Sequence, residues 1–381
     1  MWKSAEYAAA GRGHRIAGMP CQDKVCTYRN GEVTVVSLAD GAGSSKLSHF
    51  GAEAVLDRVS RDLGENFDEY FSESDASVVR GKLLSDVSSA LEETREKIGC
   101  ERNDLSSTLL VAAVSGSRYF IVHIGDGVIG YLKDDEIRVA TGPEKGDYAN
   151  ETFFTTSPAV RSHMRVMKGD DNQIQGFVMM SDGTADALYS RRTGTLSQGL
   201  RRIMQMTVLC TKSSMEKLLG ETFESSVMKL TQDDCSICVL ADTGRLPDYH
   251  NMPVSEKLDL LQISGRGRNR RKRIQYAEMI LRAASGGATK EQIARQIRVS
   301  QKYIRRKMEP LMALGLLERK GCGRYYSAVN EACTDRRTGS DGRMKEWKSG
   351  NHCDNSREKL KMKDSHRKNS TEVMKMKELP V

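Results

Sequence analysis

"VVSLADGAGSS", residues 35 to 45, runs a string of apolar residues into one carboxylate, Asp40, and then into glycines and serines. Three further stretches share that design. "RYFIVHIGDGVIG" carries apolar residues 119 to 124 into Gly125, Asp126 and Gly127, and "GFVMMSDGTAD" runs from Phe177 into Asp182 and Gly183. "TQDDCSICVLAD" reverses the order, with Asp233 and Asp234 opening an apolar run that reaches Leu240. A single Asp-Gly reads as a turn, because glycine tolerates the positive φ that tight turns demand. Four acid-tipped strands say more. Packed in sheets with their acidic ends on one side, they bring several carboxylates together. Carboxylates that close raise one another's pKa and repel, so the cluster calls for cations.

The donor set selects the cation. No histidine or cysteine stands beside Asp40, Asp182 or Asp233 at zinc spacing, and oxygen-only sites suit Mg²⁺ or Mn²⁺. Two such ions side by side activate water and hold a phosphoryl group for in-line attack. The expected chemistry is metal-assisted phosphate hydrolysis.

The ordered set "GHRIAGMPCQD", "LADGAGSS", "LSSTLLVAAV", "HIGDGVIG", "YANETFFTTS", "MMSDGTAD" and "DDCSICVL" resembles the metal-dependent protein phosphatase family (PP2C), most of all its prokaryotic branch, over residues 1 to 245. The resemblance implies an α+β fold, a four-layer α/β/β/α sandwich with metals in a cleft at one edge, and a phosphorylated protein as substrate. It gives Asp40, Asp182 and Asp233 the catalytic roles. Asp40 would bridge two Mn²⁺ or Mg²⁺ ions, the Gly41 carbonyl would add a ligand, and Asp182 and Asp233 would complete the first ion. Asp23 would lie by the second, and Asp126 with Asp182 would hold a third, weaker ion. Asp234 reads as a supporting or loop residue.

Two positions depart from the family pattern. Ala42 stands where many eukaryotic members have a histidine that protonates the leaving group. Gly18, with His14 and Arg15 nearby, stands where they have a phosphate-gripping arginine. A general acid is worth roughly 10² to 10⁴ in rate, so slow turnover is expected. These departures favour a second reading, a DNA-binding regulator whose catalytically weak phosphatase-like domain senses a phosphorylated partner or metal. The retained carboxylates favour the enzyme.

The elements that position these residues occupy only part of the chain. Its 381 residues are enough for two domains. Residues 1–245 hold 28 Lys+Arg against 35 Asp+Glu, a net of −7, whereas residues 246–381 hold 31 against 16, a net of +15. An acidic enzyme joined to a basic module is the pattern this asymmetry implies. Residues 246–270, with prolines and then a Gly-Arg run, read as a basic linker. Beyond it, Met279, Ile280, Leu281 and Ala284 mark the apolar face of a helix ended by Gly286 and Gly287. Thr289 caps a second helix with Ile293, Ala294 and Ile297 inside. Ser300 opens a third, burying Ile304, Met308, Leu311 and Leu314, leaving Gln301, Lys302, Arg305 and Arg306 outside, and including Pro310. "LLERKGCGRYYSAV" reads as a strand, a glycine turn and a strand.

Residues 271–330 resemble the winged helix-turn-helix domains of archaeal regulators, whose "GLLE" approach to the wing stands at residues 315 to 318. The resemblance implies that the third helix enters the major groove of double-stranded DNA and the wing meets its backbone. Lys302, Arg305, Arg306, Arg319, Lys320 and Arg324 have the chemistry for those contacts. Residues 331–381 lack apolar periodicity and read as a basic, disordered tail.

Nine cysteines, scattered without zinc spacing, read as reduced thiols. Cys235 and Cys238 form a C-x₂-C, yet on a strand they point to opposite faces. Without a signal peptide or an apolar run near ~18 residues, the expected location is the cytoplasm, with no membrane partner. His123 reads as a core histidine, and His49 and His163 carry no assignment.

Overall fold

The run "LLVAAV", residues 109 to 114, is apolar at every position because it belongs to a central strand buried on both sides. Leu109, Val111 and Ala113 join one hydrophobic cluster, while Leu110, Ala112 and Val114 join another. Strand side chains alternate between faces, so one continuous apolar segment serves two cores. The computed structural model describes residues 1–143, 152–247, 249, 252–261, 263 and 268–329.

The first part of the chain is β1 (Trp2–Ala9), α1 (Arg12–Ala17), β2 (Lys24–Asn30) and β3 (Val33–Ala39), then α2 (Ser48–Glu65), α3 (Phe67–Ser72) and α4 (Ala76–Ile98). Next come β4 (Leu109–Ser115), β5 (Arg118–Ile124), β6 (Val128–Lys133), β7 (Glu136–Thr141), α5 (Val160–His163), β8 (Arg165–Asp170) and β9 (Ile174–Met180). The segment closes with α6 (Asp182–Leu188), the short strands β10 (Tyr189–Ser190) and β11 (Thr195–Leu196), α7 (Gly199–Leu209), α8 (Lys212–Ser225) and β12 (Cys235–Asp242).

Two five-stranded antiparallel sheets result, ordered β1-β12-β9-β6-β7 and β2-β3-β4-β5-β8. They face each other across an apolar layer that includes Val36, Leu38, Leu110, Phe177 and Leu240. Helices α2 and α4 cover the outer face of the second sheet through Val55, Leu56, Val59, Leu83 and Val87, and α7 and α8 pack on β12 and β1 of the first. The order of layers is helix, sheet, sheet, helix, the sandwich that the sequence motifs imply. Burying the methylenes of these side chains stabilises the assembly by roughly 25 cal/mol per Å² of apolar surface removed from water.

This layout puts the acidic strand ends together. Asp40 follows β3, Asp126 follows β5, and Asp233 and Asp234 precede β12. Asp182 does not sit in a hairpin turn: it opens α6, where the free N–H groups of the first turn favour a carboxylate.

The C-terminal segment comprises α9 (Val254–Leu260), α10 (Arg268–Ala283), β13 (Ala288–Thr289), α11 (Lys290–Ile297), α12 (Gln301–Ala313), β14 (Leu317–Arg319) and β15 (Arg324–Ser327). Its strands form a sheet ordered β13-β15-β14. Thr289 caps α11 with a capping box that includes Gln292, and Ser300 caps α12 through Tyr303 N–H. Ile304, Met308 and Leu311 are buried on α12, and Pro310 lies within it. Two expectations change. The basic run at the end of the span read as a linker is helical from Arg268, because Ile274, Ala277 and Leu281 form one buried stripe and leave Arg271 and Lys272 in solvent. Met279 lies off that stripe and is 44% exposed, so it is not part of the core. Residues 331–381 lie outside the described residues.

The C-terminal segment packs on the turn between α7 and α8. Glu318 accepts hydrogen bonds from Thr211 Oγ1 (2.7 Å) and from Ser214 Oγ, and Cys210 Sγ donates to the Leu314 carbonyl at 3.6 Å. No helix among the described residues is long and apolar enough to cross a membrane. The seven described cysteines are free thiols.

Candidate metal centre

Three loops converge because their backbones are tied to one another. Asp40 N–H donates to Thr108 Oγ1 at 2.8 Å and the Asp40 carbonyl accepts from Thr108 N–H at 2.8 Å. Ala42 N–H donates to the Ser106 carbonyl at 2.9 Å, and Gly41 pairs with Ser107. The same Thr108 sets the second loop. Gly125, at φ +110°, passes so close that a Cβ there would stand 2.5 Å from Thr108 Cγ2, a conformation and a contact that only glycine allows.

His123 fixes that loop from below. Its Nε2 lies 3.0 Å from the Gly125 carbonyl and its Nδ1 meets Thr141 Oγ1. Burial pushes the imidazole down to about 3, so it is neutral, donating from Nε2–H and accepting at Nδ1. The core reading of His123 therefore holds, with an added task of holding the carbonyl next to Asp126. Asp126 itself accepts from Thr152 Oγ1 at 2.6 Å, and Asp182 accepts from Gly183 N–H at 2.6 Å. Asp40, Asp126 and Asp182 each offer a carboxylate oxygen, and these atoms all lie within 4.8 Å of one another.

Asp23 completes the picture from the far side of Asp40. It is 2% exposed, and neither carboxylate oxygen has a hydrogen-bond partner. Burial pushes it up to about 7, an effect that the neighbouring Ser236 and Ser181 hydroxyls only partly offset. Asp40 is raised well above the usual carboxylate range by burial and then by Asp23 and Asp182; Asp182 is pushed up to about 6 by burial and then by Asp126. Buried acids without cationic partners are expensive. An all-oxygen donor set with orphaned buried oxygens fits a hard divalent cation, whose charge would return each group to its ionised form.

The remaining residues singled out in the sequence divide. Asp233 acts on Asp182 electrostatically and accepts from Asp234 N–H at 2.9 Å, but it stands outside the tight group of three. Asp234 is a structural clamp. Its oxygens accept from Gly11 N–H (2.7 Å) and Gln22 N–H (2.6 Å), and His14 Nδ1 lies 2.8 Å away. These bonds fasten both ends of the segment that delivers Asp23, a role that adjacency to Asp233 alone could not reveal. Gly18 ends α1 in the left-handed region at φ +66°, with its N–H on the Arg15 carbonyl, so a side chain there would be strained. Arg15 forms a bidentate pair with Glu224, at 2.6 and 3.3 Å. Ala42 is buried.

The protein phosphatase 2C family model matches residues 10–224, more than half of the chain and a span that includes Asp23, Asp40, Asp126 and Asp182 but stops before Asp233. No curated protein matches the sequence. Among solved structures, a bacterial serine phosphatase is similar at 14% identity and TM-score 0.45, covering 63% of this chain and 98% of that one. The serine/threonine phosphatase of S. agalactiae (14% identity, TM-score 0.43) covers 63% and 99%, and Stp1 from Staphylococcus aureus (14%, TM-score 0.43) covers 64% and 95%. The family match falls on the loops that gather the carboxylates, and by it this chain belongs to the protein phosphatase 2C family, metal-dependent enzymes, as a protein serine/threonine phosphatase.

Proposed function

We propose that the chain hydrolyses phosphoserine and phosphothreonine esters of proteins at a binuclear Mn²⁺ or Mg²⁺ centre, and that its C-terminal segment is a winged helix that carries this activity to DNA. The observation that supports the first part is the convergence of Asp40, Asp126 and Asp182 beside the buried, unpartnered oxygens of Asp23. Bound there, two such ions lower the pKa of water and align a phosphoryl group for in-line displacement. In this reading Asp40, fixed by Thr108, would hold both ions, and the Gly41 carbonyl, fixed by Ser107, would add a ligand to one of them. Asp182 and Asp233 would complete the first, Asp23 would lie by the second, and Asp126 with Asp182 would hold a third, weaker one. Ala42 brings no proton donor, and His14 is engaged by Asp234. The leaving oxygen would then take its proton from water or from another side chain, which makes turnover slow.

Five observations favour the winged helix. The element order is helix, strand, helix, helix, strand, strand. The strands form one small sheet. Lys302, Arg305 and Arg306 are exposed on α12. The only carboxylate on Arg305 among the described residues is Glu309, at 3.4 Å on the same helix, an exposed pair that is easily exchanged for phosphate. Arg319 and Lys320 lie over the rings of Tyr325 and Tyr326, Arg324 donates to the Gly287 carbonyl, and all three residues are exposed. The domain limits proposed are 1–245 for the phosphatase and 271–330 for the winged helix, joined through 246–270, whose final residues are already helical, and followed by the tail.

The test is phosphate release from a phosphothreonine peptide by the full chain in Mn²⁺, in Mg²⁺ and in excess chelator. Activity in metal and none in chelator is the expected result. Metal binding without activity in either ion would transfer the assignment to the regulator that senses a phosphorylated partner.

A further inference from the structure

The open edge of the sandwich breaks the apolar pattern of its own strands. On β1, Trp2, Ser4 and Glu6 share one face, and on β2, Val25, Thr27 and Arg29 do. Trp2 and Val25 belong to the layer between the sheets. The next positions along both strands are hydroxyls and charges instead: Ser4 is buried, Glu6 and Thr27 are half-buried and Arg29 is exposed. Where a chain departs from its own binary pattern at a half-buried place, a function is the first explanation to try.

Ser4, Thr27 and Arg29 line a cleft of about 420 Å³, together with Lys3, Thr207, Cys210, Thr211, Lys212 and Met215. A small ligand fits such a volume. The chemistry of the lining is one-sided. Lys3, Arg29 and Lys212 supply three cations, and Ser4, Thr27, Thr207 and Thr211 supply four hydroxyls. Lys212 Nζ lies 2.9 Å from Glu6 Oε1, a carboxylate that Thr27 also reaches, and 3.7 Å from Glu216 Oε1. The other two cations have no carboxylate among the described residues. Lys3 Nζ donates to the carbonyls of Val208 (2.6 Å) and Cys210 (3.2 Å), and burial pulls its ammonium below the ordinary value. Arg29 spends two of its N–H groups on the Trp2 carbonyl (3.1 Å) and Ser4 Oγ (3.2 Å). Its guanidinium has five N–H groups, and a fork of that kind suits two oxygens of one phosphate.

We propose that this cleft binds a small phosphomonoester or inorganic phosphate, held by Arg29, Lys3 and Lys212 at a site separate from the carboxylate centre. The two sites differ in sign as well as in place: one is built to take a cation, the other an anion. Cys210 and Thr211 belong both to the cleft and to the surface that holds Leu314 and Glu318. An anion in the cleft places a second negative group beside the residue that binds Glu318. It therefore weakens the hold on the C-terminal segment, and the segment's release would in turn favour the anion, since coupling between sites is reciprocal.

The test uses the full chain with Asp40→Asn in excess chelator, so that no phosphate is captured through metal and the result is independent of whether the protein is a phosphatase. Inorganic phosphate and adenosine monophosphate are titrated by calorimetry. We expect saturable one-site binding of at least one of them, weakened about tenfold by Arg29→Gln and less by Lys212→Gln, with circular dichroism and melting curves showing that both variants fold. Hydrogen exchange should rise in β14 when the cleft fills. Absence of binding by both probes, or binding unchanged in the folded Arg29→Gln variant, would overturn the assignment.

Discussion

The charges at the two ends of this molecule are kept in opposite ways. In the sandwich, Asp23 is buried, Asp40 and Asp182 are half-buried, and the three are crowded together, so their ionised forms are costly in the absence of a cation. On α12 and the β14–β15 pair, Arg305, Arg306, Arg319 and Lys320 stand in solvent. A crowded cluster of one sign says what must come to it, because only protons or a cation relieve it. An exposed cluster of one sign is stable by itself, and its composition alone does not name a partner. The carboxylate site is thus specific in its demand and the basic face is permissive.

That contrast breaks first at Asp40. Asp40→Asn should reduce phosphopeptide hydrolysis in saturating Mn²⁺ by at least ~10³, since the residue is asked to hold both ions. Initial rates for the two proteins decide it, and equal rates would show that the crowded cluster does not serve chemistry.

The next test removes a buried acid that has its partners. Asp234→Ala strands the N–H groups of Gly11 and Gln22 and should destabilise the fold by about 3 kcal/mol in urea unfolding. Asp234→Asn should cost less, because it keeps an acceptor.

A third measurement sharpens the comparison through pH. Asp23 and Asp182 have folded pKa values near 7 and 6, above their unfolded values. Their contribution to stability is complete in acid and is lost as pH rises through those values, so the chelated protein should melt lower at pH 8 than at pH 5. Saturating Mn²⁺ should remove that slope and raise the melting temperature, as any ligand specific to the folded state does. His123 pulls the other way. Its folded value, about 3, lies below the unfolded one, so its contribution is present above pH 6.5 and declines as pH falls from there towards 3. An acid-side decline alone should persist in the metal-loaded protein.

The smallest effect belongs to the basic face. Arg305→Ala or Arg306→Ala should weaken duplex binding by roughly 1 to 3 kcal/mol and erode sequence preference, whereas removing Arg319 or Lys320 should weaken all sequences alike and lower the salt dependence. Fluorescence anisotropy at several salt concentrations reads both. No complex at low salt would leave the face as a solvated surface.

The legibility of the two regions follows the same physics. The acid-tipped runs at Asp40, Asp126 and Asp182 were readable because burial forces an apolar strand to precede each acid, and the capped helices at Thr289 and Ser300 because capping needs particular side chains. What escaped was long-range. That Asp234 clamps Gly11 and Gln22 depends on residues more than 200 positions away. Nor does local sequence say that Gly18 is held left-handed, or that Arg15 is engaged by Glu224. Met279 was misplaced because four neighbouring apolar residues on a helix cannot all face one way. The basic run from Arg268 looked like linker since its charge hid the stripe beneath it.

The helix α8 has a consequence of a mechanical kind. Its 14 residues span about 21 Å and behave as a stiff rod. At one end Thr211 and Ser214 grip Glu318; at the other Glu224 grips Arg15, on the short helix whose His14 touches Asp234. A rod cannot stretch, so a tilt imposed at one end must be repaid by motion at the other or by a broken ion pair. Glu224→Gln would loosen the hold on Arg15 without shortening the rod, while the buried Met215, Leu219 and Phe223 keep α8 seated on the sheet.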